Sequence, residues 1–397
     1  MYRHQLASYS PISLGAAISG IPAILGIVRD PRTSLARRLR ADFLSEEVLL
    51  CGSGTQALQL AIECSVRGRR EQRIVALPAF GCFDLVSAAI GAGVFVSLYD
   101  VDPNTLAPDF QSLTRVLAAG VSSCIVTPLY GLALPWDEFE TLAVGYGVPL
   151  IEDAAQGNGA SWRGRPVGSS GWISCLSFGR GKGWTGGSGG AVLTRQAQDV
   201  PGADVLKASA RGEIKNVVSL VAQWAMGRPR LYGLARSIPW LSLGETKYRS
   251  AVSPREMSRA AAATIQYTGR AAGRESERRR ANATALLSRL KGRPGLVALP
   301  PPADSQPGYT RLAIRLTKGL GSGPLPPSVR RIGIERSYPH SLAKLPAAAP
   351  WLRGPEHDWA GADTLADQLI TLPTHSFLTA RDLDEIAKRV IALAAGS

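Results

Sequence analysis

The chain has 397 residues, 45% of them apolar and 19% charged, a balance that builds a full core and excludes a disordered, collagen-like or disulfide-stapled polypeptide. Lysine and arginine number 45 against 31 aspartate and glutamate, a formal net charge of +14, which suits phosphorylated metabolites, nucleic acid or a membrane surface as partners. The densest basic run, Arg274 to Arg280, carries two glutamates and reads as a solvated helix face, so no nucleic-acid partner is expected. Five dispersed cysteines (51, 64, 82, 124 and 175) form no C-x-x-C pair and fit a reducing cytoplasm. No apolar run reaches the roughly 18 residues of a membrane-spanning helix. The N-terminal stretch, broken by Ser, Gly and Pro, does not read as a signal peptide. Four histidines (4, 340, 357 and 375) lack ligand spacing, so no metal site is expected.

In chain order, Glu47 to Leu50 is a short apolar run entering a glycine turn, and Thr55 to Cys64 has helical spacing. Arg73 to Leu77 predicts a strand and Phe83 to Ile90 a helix. Val94 to Tyr99, Ser123 to Thr127 and Val148 to Ile151 are further β-rich runs, with a helix over Trp136 to Tyr146. Strands alternating with helices indicate an α/β fold on a mostly parallel sheet, whose chemistry gathers beyond the strands' carboxyl ends. From Val205 to Ser250 aromatic and basic residues intermix without a period. Oligomer packing is expected of this segment, with a partner-binding arm or a membrane-surface element as alternatives. Ser253 to Leu290 predicts one long Ala/Arg-rich helix. A strand near Thr310 to Leu316 and a last helix near Ala380 to Ala395 predict a smaller C-terminal α/β domain. The expected division is a large domain over 1–250 and a helix plus small domain over 251–397.

Gly52-Ser53-Gly54-Thr55-Gln56-Ala57 follows a strand and opens a helix. Pro78-Ala79-Phe80 stands where a dinucleotide fingerprint needs its acid, so phosphate binding by free N–H groups survives and the dinucleotide reading does not. Gly186 to Gly190 spells the G-x-S-x-G of a nucleophile elbow, but a β-like AVLT follows it, and a glycine turn is the better reading. Gly179 to Gly183 lacks the first Gly and the Ser/Thr of a phosphate loop. Asp153 ends an apolar strand, where a carboxylate faces a ligand or, just as simply, caps a helix. Lys182, flanked by Gly, Phe and Trp beyond a further strand, is either a surface group or a desolvated amine. A phosphate cradle, a carboxylate and an amine together are the parts of a pyridoxal 5′-phosphate (PLP) site.

These residues resemble the DegT/DnrJ/EryC1/StrS aminotransferases, through GSGTQAL (52–58), PAFGCFDLVSAAIGAGVFVSLYDVDPNTL (78–106), the stretch from TPLYG to IEDAAQ and GSSG (127–171), and LSFGRGKGWTGGSGGAVLT (176–194). SYPHSLAKLP (337–346) and ITLPTHSFLTARDLDEI (370–386) also look like the family's small domain. The resemblance implies the PLP-dependent transferase fold of type I, with a large, mostly parallel sheet wrapped by helices and a smaller C-terminal α/β domain. It implies Lys182 as the lysine that carries the cofactor and moves the proton, and Asp153 as the partner of its pyridine nitrogen. Gln156 would lie near the phenolic oxygen, and Gly54, Thr55 and Ser177 would hold the phosphate. It further implies a cytoplasmic homodimer that moves an amino group from an amino acid, L-glutamate first, to a keto sugar, nucleotide-linked as in most of the family. Tyr338 and His340 are candidate substrate contacts, with a structural role for their turn as the alternative. The chain departs from the pattern at Gly81 and Cys82, where the family carries Thr and a ring-stacking aromatic: either Phe83 takes over the stacking or the ring face is covered differently. Ser188 replaces the Glu of the family's glycine turn. A non-catalytic member, or a protein recruited to a membrane or complex through 205–250, are the other functional classes.

Overall fold

The computed structural model describes residues 4–68, 73–196, 206, 210–229, 232–233, 247–321, 323–355 and 358–396. The N-terminal part carries α1 (Leu14–Ile18), α2 (Ile21–Ile24) and α3 (Pro31–Phe43). Strands and helices then alternate: β1 (Glu47–Cys51), α4 (Gly54–Ser65), β2 (Ile74–Pro78), α5 (Asp84–Gly91), β3 (Phe95–Tyr99), α6 (Phe110–Ala118), β4 (Ser123–Val126), α7 (Trp136–Gly145) and β5 (Leu150–Asp153). The small hairpin β6 (Ser161–Trp162) and β7 (Arg165–Pro166) precedes β8 (Ile173–Ser177) and β9 (Gly190–Thr194). These strands build a seven-stranded sheet of order β1-β9-β8-β5-β4-β2-β3, in which β9 alone runs against its neighbours. The alternation read from the sequence is thus present along the chain from β1 to β5, while the order of strands within the sheet differs from their order in the chain.

Side-chain alternation explains why both faces are covered. Val75, Leu77, Ile125, Ile151, Ile173 and Val192 enter one apolar cluster, and their strand neighbours Ala76, Cys124, Val126, Leu150, Ala191 and Leu193 enter another. Strands buried on both faces read as continuous aliphatic runs. Register then aligns the site: Cys51 and Ser177 both pair with Gly190, and Asp153 pairs with Cys175. The carboxyl ends of β1, β8 and β5 therefore lie together at one edge.

Downstream come α8 (Ala210–Met226), α9 (Arg259–Leu290), β10 (Leu296–Ala298), β11 (Ser305–Gln306), β12 (Leu312–Leu316), α10 (Pro327–Arg330), β13 (Glu335–Arg336), α11 (Ala360–Gln368), β14 (Leu369–Leu372) and α12 (Ala380–Ala395). A four-stranded sheet of order β10-β12-β14-β13 packs Ile314, Leu316, Ile370 and Leu372 into the first cluster.

Three readings of the sequence change. The long helix starts at Arg259 and not near Ser253, because Ser258 caps it by accepting the Ala261 N–H at 3.0 Å. Residues 253–256 instead lie along the β1–α4 turn, where Gly52 N–H donates to Arg255 O at 2.8 Å. The run Arg274 to Arg280 is not one solvated face: Glu275, Ser276 and Arg279 are buried. Within the aperiodic segment 205–250, α8 was not foreseen, because it buries polar Asn216 beside Leu220 and exposes Ile214 and Val218. Residues 205, 207–209, 230–231 and 234–246, on which much of the interface reading rests, lie outside the described residues. No described helix is long and apolar enough to cross a membrane.

Candidate active site

Consecutive residues of a strand face opposite ways, and β5 ends on two carboxylates with different fates. Glu152, 1% exposed, accepts the N–H groups of Gly168 and Ser170 at 2.9 Å, Gly171 N–H at 3.3 Å and Ser174 Oγ–H at 2.8 Å. It is spent on holding the turn before β8. Asp153, 8% exposed, accepts Ala155 N–H at 3.2 Å, and the chain turns there without starting a helix. That excludes the helix-cap reading. Burial pushes the Asp153 carboxyl above the ordinary carboxylate range, and the nearby Lys182 ammonium pulls it part of the way back. Asp153 therefore lies within electrostatic reach of Lys182.

Lys182 is half-buried on the turn after β8, between Gly181 (φ 74°) and Gly183 (φ 84°). Those left-handed angles are cheap only for glycine, and they fold the turn sharply around the lysine. The turn is braced from the N-terminal segment, where Ser10 Oγ accepts the Gly183 N–H at 2.9 Å. Behind it, the Trp184 indole N–H donates to Ile265 O at 2.8 Å.

The start of α4 faces the same edge. Ser53 Oγ accepts the Gln56 N–H at 3.2 Å, while the N–H groups of Gly54 and Thr55 have no acceptor within the helix. Gly54 is pressed against β8: a Cβ there would stand 2.5 Å from Ser177 Cβ and 2.7 Å from Ser177 Oγ. One hydroxyl and the positive end of a helix thus converge. Gln56 turns away, accepting the Arg255 N–H and donating to Ser253 O.

Gln156 is clamped. Its Oε1 accepts the Tyr130 N–H at 3.2 Å and its Nε2 donates to Tyr338 Oη at 2.8 Å. Tyr130 is left-handed (φ 56°) and its hydroxyl bonds Ser337 Oγ. Tyr338 is buried edge-on against Phe80, with ring centroids 5.3 Å apart, and burial holds its phenol well above the ordinary range. It backs Gln156. His340 is half-buried and stacks on Phe83 at 4.9 Å and 21°. One face of Phe83 is thus covered by His340, while the Cys82 thiol lies within electrostatic reach of both Asp153 and Lys182. Burial and then Asp84 push the Cys82 thiol up to about 12, with Lys182 opposing.

Several contributors carry no signal in the sequence. Asn216 of α8 accepts the Ser188 Oγ–H at 2.7 Å and donates to Gly186 O at 3.1 Å, holding the glycine turn before β9. Ser10 is remote in sequence from the turn it braces. Among the described residues no group of His, Cys, Asp or Glu is placed to hold a metal ion.

A family model for the DegT/DnrJ/EryC1/StrS aminotransferase family matches residues 32–391. The chain belongs to that family. It is similar to an L-glutamine:2-deoxy-scyllo-inosose aminotransferase from Streptoalloteichus tenebrarius, 33% identical over 45% of this chain and 42% of that one. A protein of the same name from Micromonospora echinospora is 30% identical over 80% of this chain and 70% of its own length. The match thus spans less than half of the first relative and about two-thirds of the second. A crystal structure of a DegT/DnrJ/EryC1/StrS aminotransferase from Brucella abortus shares the fold, with a TM-score of 0.72 at 22% identity over 97% of this chain and 95% of that one. The fold is that of the PLP-dependent transferases of type I. The cofactor of the DegT/DnrJ/EryC1/StrS aminotransferases is PLP, and the residues fit it. The glycine cradle at Gly54, which a Cβ would fill, suits its phosphate, and the buried Asp153, unpaired by any cation at ion-pair distance among the described residues, suits a protonated ring nitrogen.

Proposed function

We propose that this protein is a PLP-dependent aminotransferase that takes the amino group of an amino acid and gives it to the keto group of a sugar or cyclitol. The observation that carries the reading is the meeting of Lys182, Asp153 and the Gly54–Ser177 cradle at one sheet edge. Bound there, PLP supplies an electron sink that acidifies the Cα–H of the donor. Lys182 would supply the amine that anchors the cofactor and, when free, would accept the proton from the donor's Cα and deliver it to the carbon on the far side of the imine nitrogen. Asp153 holds a proton on the ring nitrogen. Gln156, fixed between Tyr130 and Tyr338, presents its amide to the phenolic oxygen. Gly54, Thr55 and Ser177 take the phosphate.

The relatives' names favour L-glutamine as donor and a keto-cyclitol as acceptor, beside L-glutamate and a nucleotide-linked keto sugar. Tyr338 acts on the cofactor end of the site through Gln156, and His340, at the half-buried end of its turn, is the direct substrate contact. We place the working form as a cytoplasmic homodimer, with residues 1–250 as its large domain and 251–397 as bridging helix and small domain.

The test is the visible absorbance of the purified protein and of Lys182→Ala, before and after adding L-glutamine or L-glutamate. A PLP band in the wild type, bleached by the donor and resistant to bleaching in the variant, supports the reading. No band even with added PLP overturns it in favour of a non-catalytic member.

A further inference from the structure

Arg279, midway along α9, is 1% exposed, one of the largest fully buried side chains of the protein. No carboxylate lies within ion-pair distance of it among the described residues; Glu275, one turn earlier, acts on it only at longer range and accepts the Ser376 N–H at 2.9 Å. Burial pulls the Arg279 guanidinium down to about 10. A buried cation without a paired carboxylate is a poor choice for stability alone, since an apolar side chain of similar volume avoids the desolvation cost. Its value lies in what its planar fork holds.

The fork reaches three segments. Nη2 donates to Asn158 Oδ1 at 2.8 Å, to Asn158 O at 3.3 Å and to Ser276 Oγ at 2.7 Å. Nε donates to Gly308 O at 3.0 Å. Nη1, without a hydrogen-bond partner, lies against the turn of the lysine: a Cβ on Gly183 would stand 2.8 Å from it and 2.6 Å from Asn158 Oδ1. Each contact adjoins a site residue. Asn158 follows Gln156 closely and Gly183 follows Lys182 directly. Gly308 N–H donates to Gly131 O at 2.7 Å, next to the Tyr130 whose N–H orients Gln156.

We infer that Arg279 is a positioning residue of this site, locking from behind the segments that carry Gln156, Lys182 and Tyr130 in one mutual register. The inference rests on the aminotransferase reading for its catalytic meaning, but its structural content stands apart from it. Arg279 exerts its effect through backbone and Asn158, and it touches neither cofactor nor substrate.

The test compares full-length wild type, Arg279→Met, Arg279→Lys, Asn158→Ala and a core truncation further along the same helix, Leu286→Ala. Hydrogen exchange of the cofactor-free proteins is read by peptide. Arg279→Met is expected to speed exchange together in 154–160, 179–186 and 305–310, and Asn158→Ala in the first two. Leu286→Ala, even at equal loss of Tm, is expected to leave all three unchanged. With PLP, Arg279→Met is expected to lose about tenfold to a hundredfold in affinity and to move the pH midpoint of the absorbance band, as a misplaced catalytic group does, with Arg279→Lys in between. Exchange that rises uniformly, or equally in Leu286→Ala, overturns the inference. Should Arg279→Met not fold, Asn158→Ala decides by the same readings. A wild type that binds no PLP overturns the aminotransferase reading instead, while the exchange pattern still decides the role of Arg279.

Discussion

Gly54→Ala probes the cradle most directly. The new methyl meets Ser177 Cβ at 2.5 Å and Ser177 Oγ at 2.7 Å. Rotating Ser177 moves its oxygen but not its Cβ, which is fixed to strand β8. Carbon atoms rest at about 3.5–4.0 Å, so helix start and strand end must separate by about 1 Å. Overpacking of this kind costs about 1–3 kcal/mol. Alanine's lower backbone entropy in the unfolded chain returns at most about 1 kcal/mol, leaving a net loss of up to about 3 kcal/mol. The same displacement withdraws the Gly54 and Thr55 N–H groups from a phosphate, and about 1.4 kcal/mol there is tenfold in affinity. Urea denaturation of the cofactor-free protein and PLP titration by tryptophan fluorescence measure the two losses. The assignment of the clash is checked in a cycle: Ser177→Gly removes the two closest atoms, leaving Cα at 3.2 Å, and should accept the Gly54→Ala methyl at a much reduced cost, whereas Ser177→Ala keeps the closest one and should not. Unchanged stability and affinity in Gly54→Ala, or equal rescue by the two partners, refutes the reasoning.

Three further outcomes follow from the same geometry. Burial raises the Asp153 carboxyl above its ordinary 3.8, so the folded protein favours the protonated form; that stabilisation is complete below the ordinary value and lost as pH rises through the folded one. Asp153→Asn, neutral throughout, should match the cofactor-free wild type in acid and gain on it in Tm towards neutral pH, and a difference that ignores pH contradicts this. Glu152→Gln sets an amide N–H₂ among four donors and should cost about 2–3 kcal/mol in urea denaturation, charged hydrogen bonds being the stronger kind; a neutral substitution removes Glu152 from its structural role. The Cys82 thiol, pushed up to about 12, should be alkylated by iodoacetamide more slowly at pH 8 than free cysteine, with a rate still climbing beyond pH 10 by peptide mass spectrometry. A plateau by about pH 10, as for an ordinary thiol, shows the group to be solvated.

Much of the site was legible because its determinants are local. A Gly-x-Gly between an apolar run and a helical period marks a helix start with free N–H groups, and an acid at the end of an aliphatic run marks a strand tip. What stayed hidden depends on which way a chain direction points in space. Glu152 and Asp153 are chemically alike and adjacent, and the strand's alternation, read against the Gly168–Ser174 turn, is what spends one and leaves the other beside Lys182. Cys82 and Phe83 divide the same way: the ring packs on His340, and the thiol lies towards Asp153 and Lys182. For Tyr338, read either as a substrate contact or as part of a structural turn, only the tertiary structure shows the hydrogen bond from Gln156. The run at 274–280 looked solvated because nearly every residue in it is charged, yet helical periodicity turns Glu275 and Arg279 inward.

By itself, then, the sequence determined the succession of strands and helices, the glycine turns and the chemical types gathered at the strand ends, since each is a matter of neighbours within a few residues. Tertiary structure decided everything that joins distant stretches: β9 inserted antiparallel between β1 and β8, Ser10 bracing Gly183, Asn216 holding the glycine turn, and Arg279 clasping Asn158 and Gly308. Such contacts arise only when packed elements bring far-apart residues within bonding distance, and no local pattern encodes that distance.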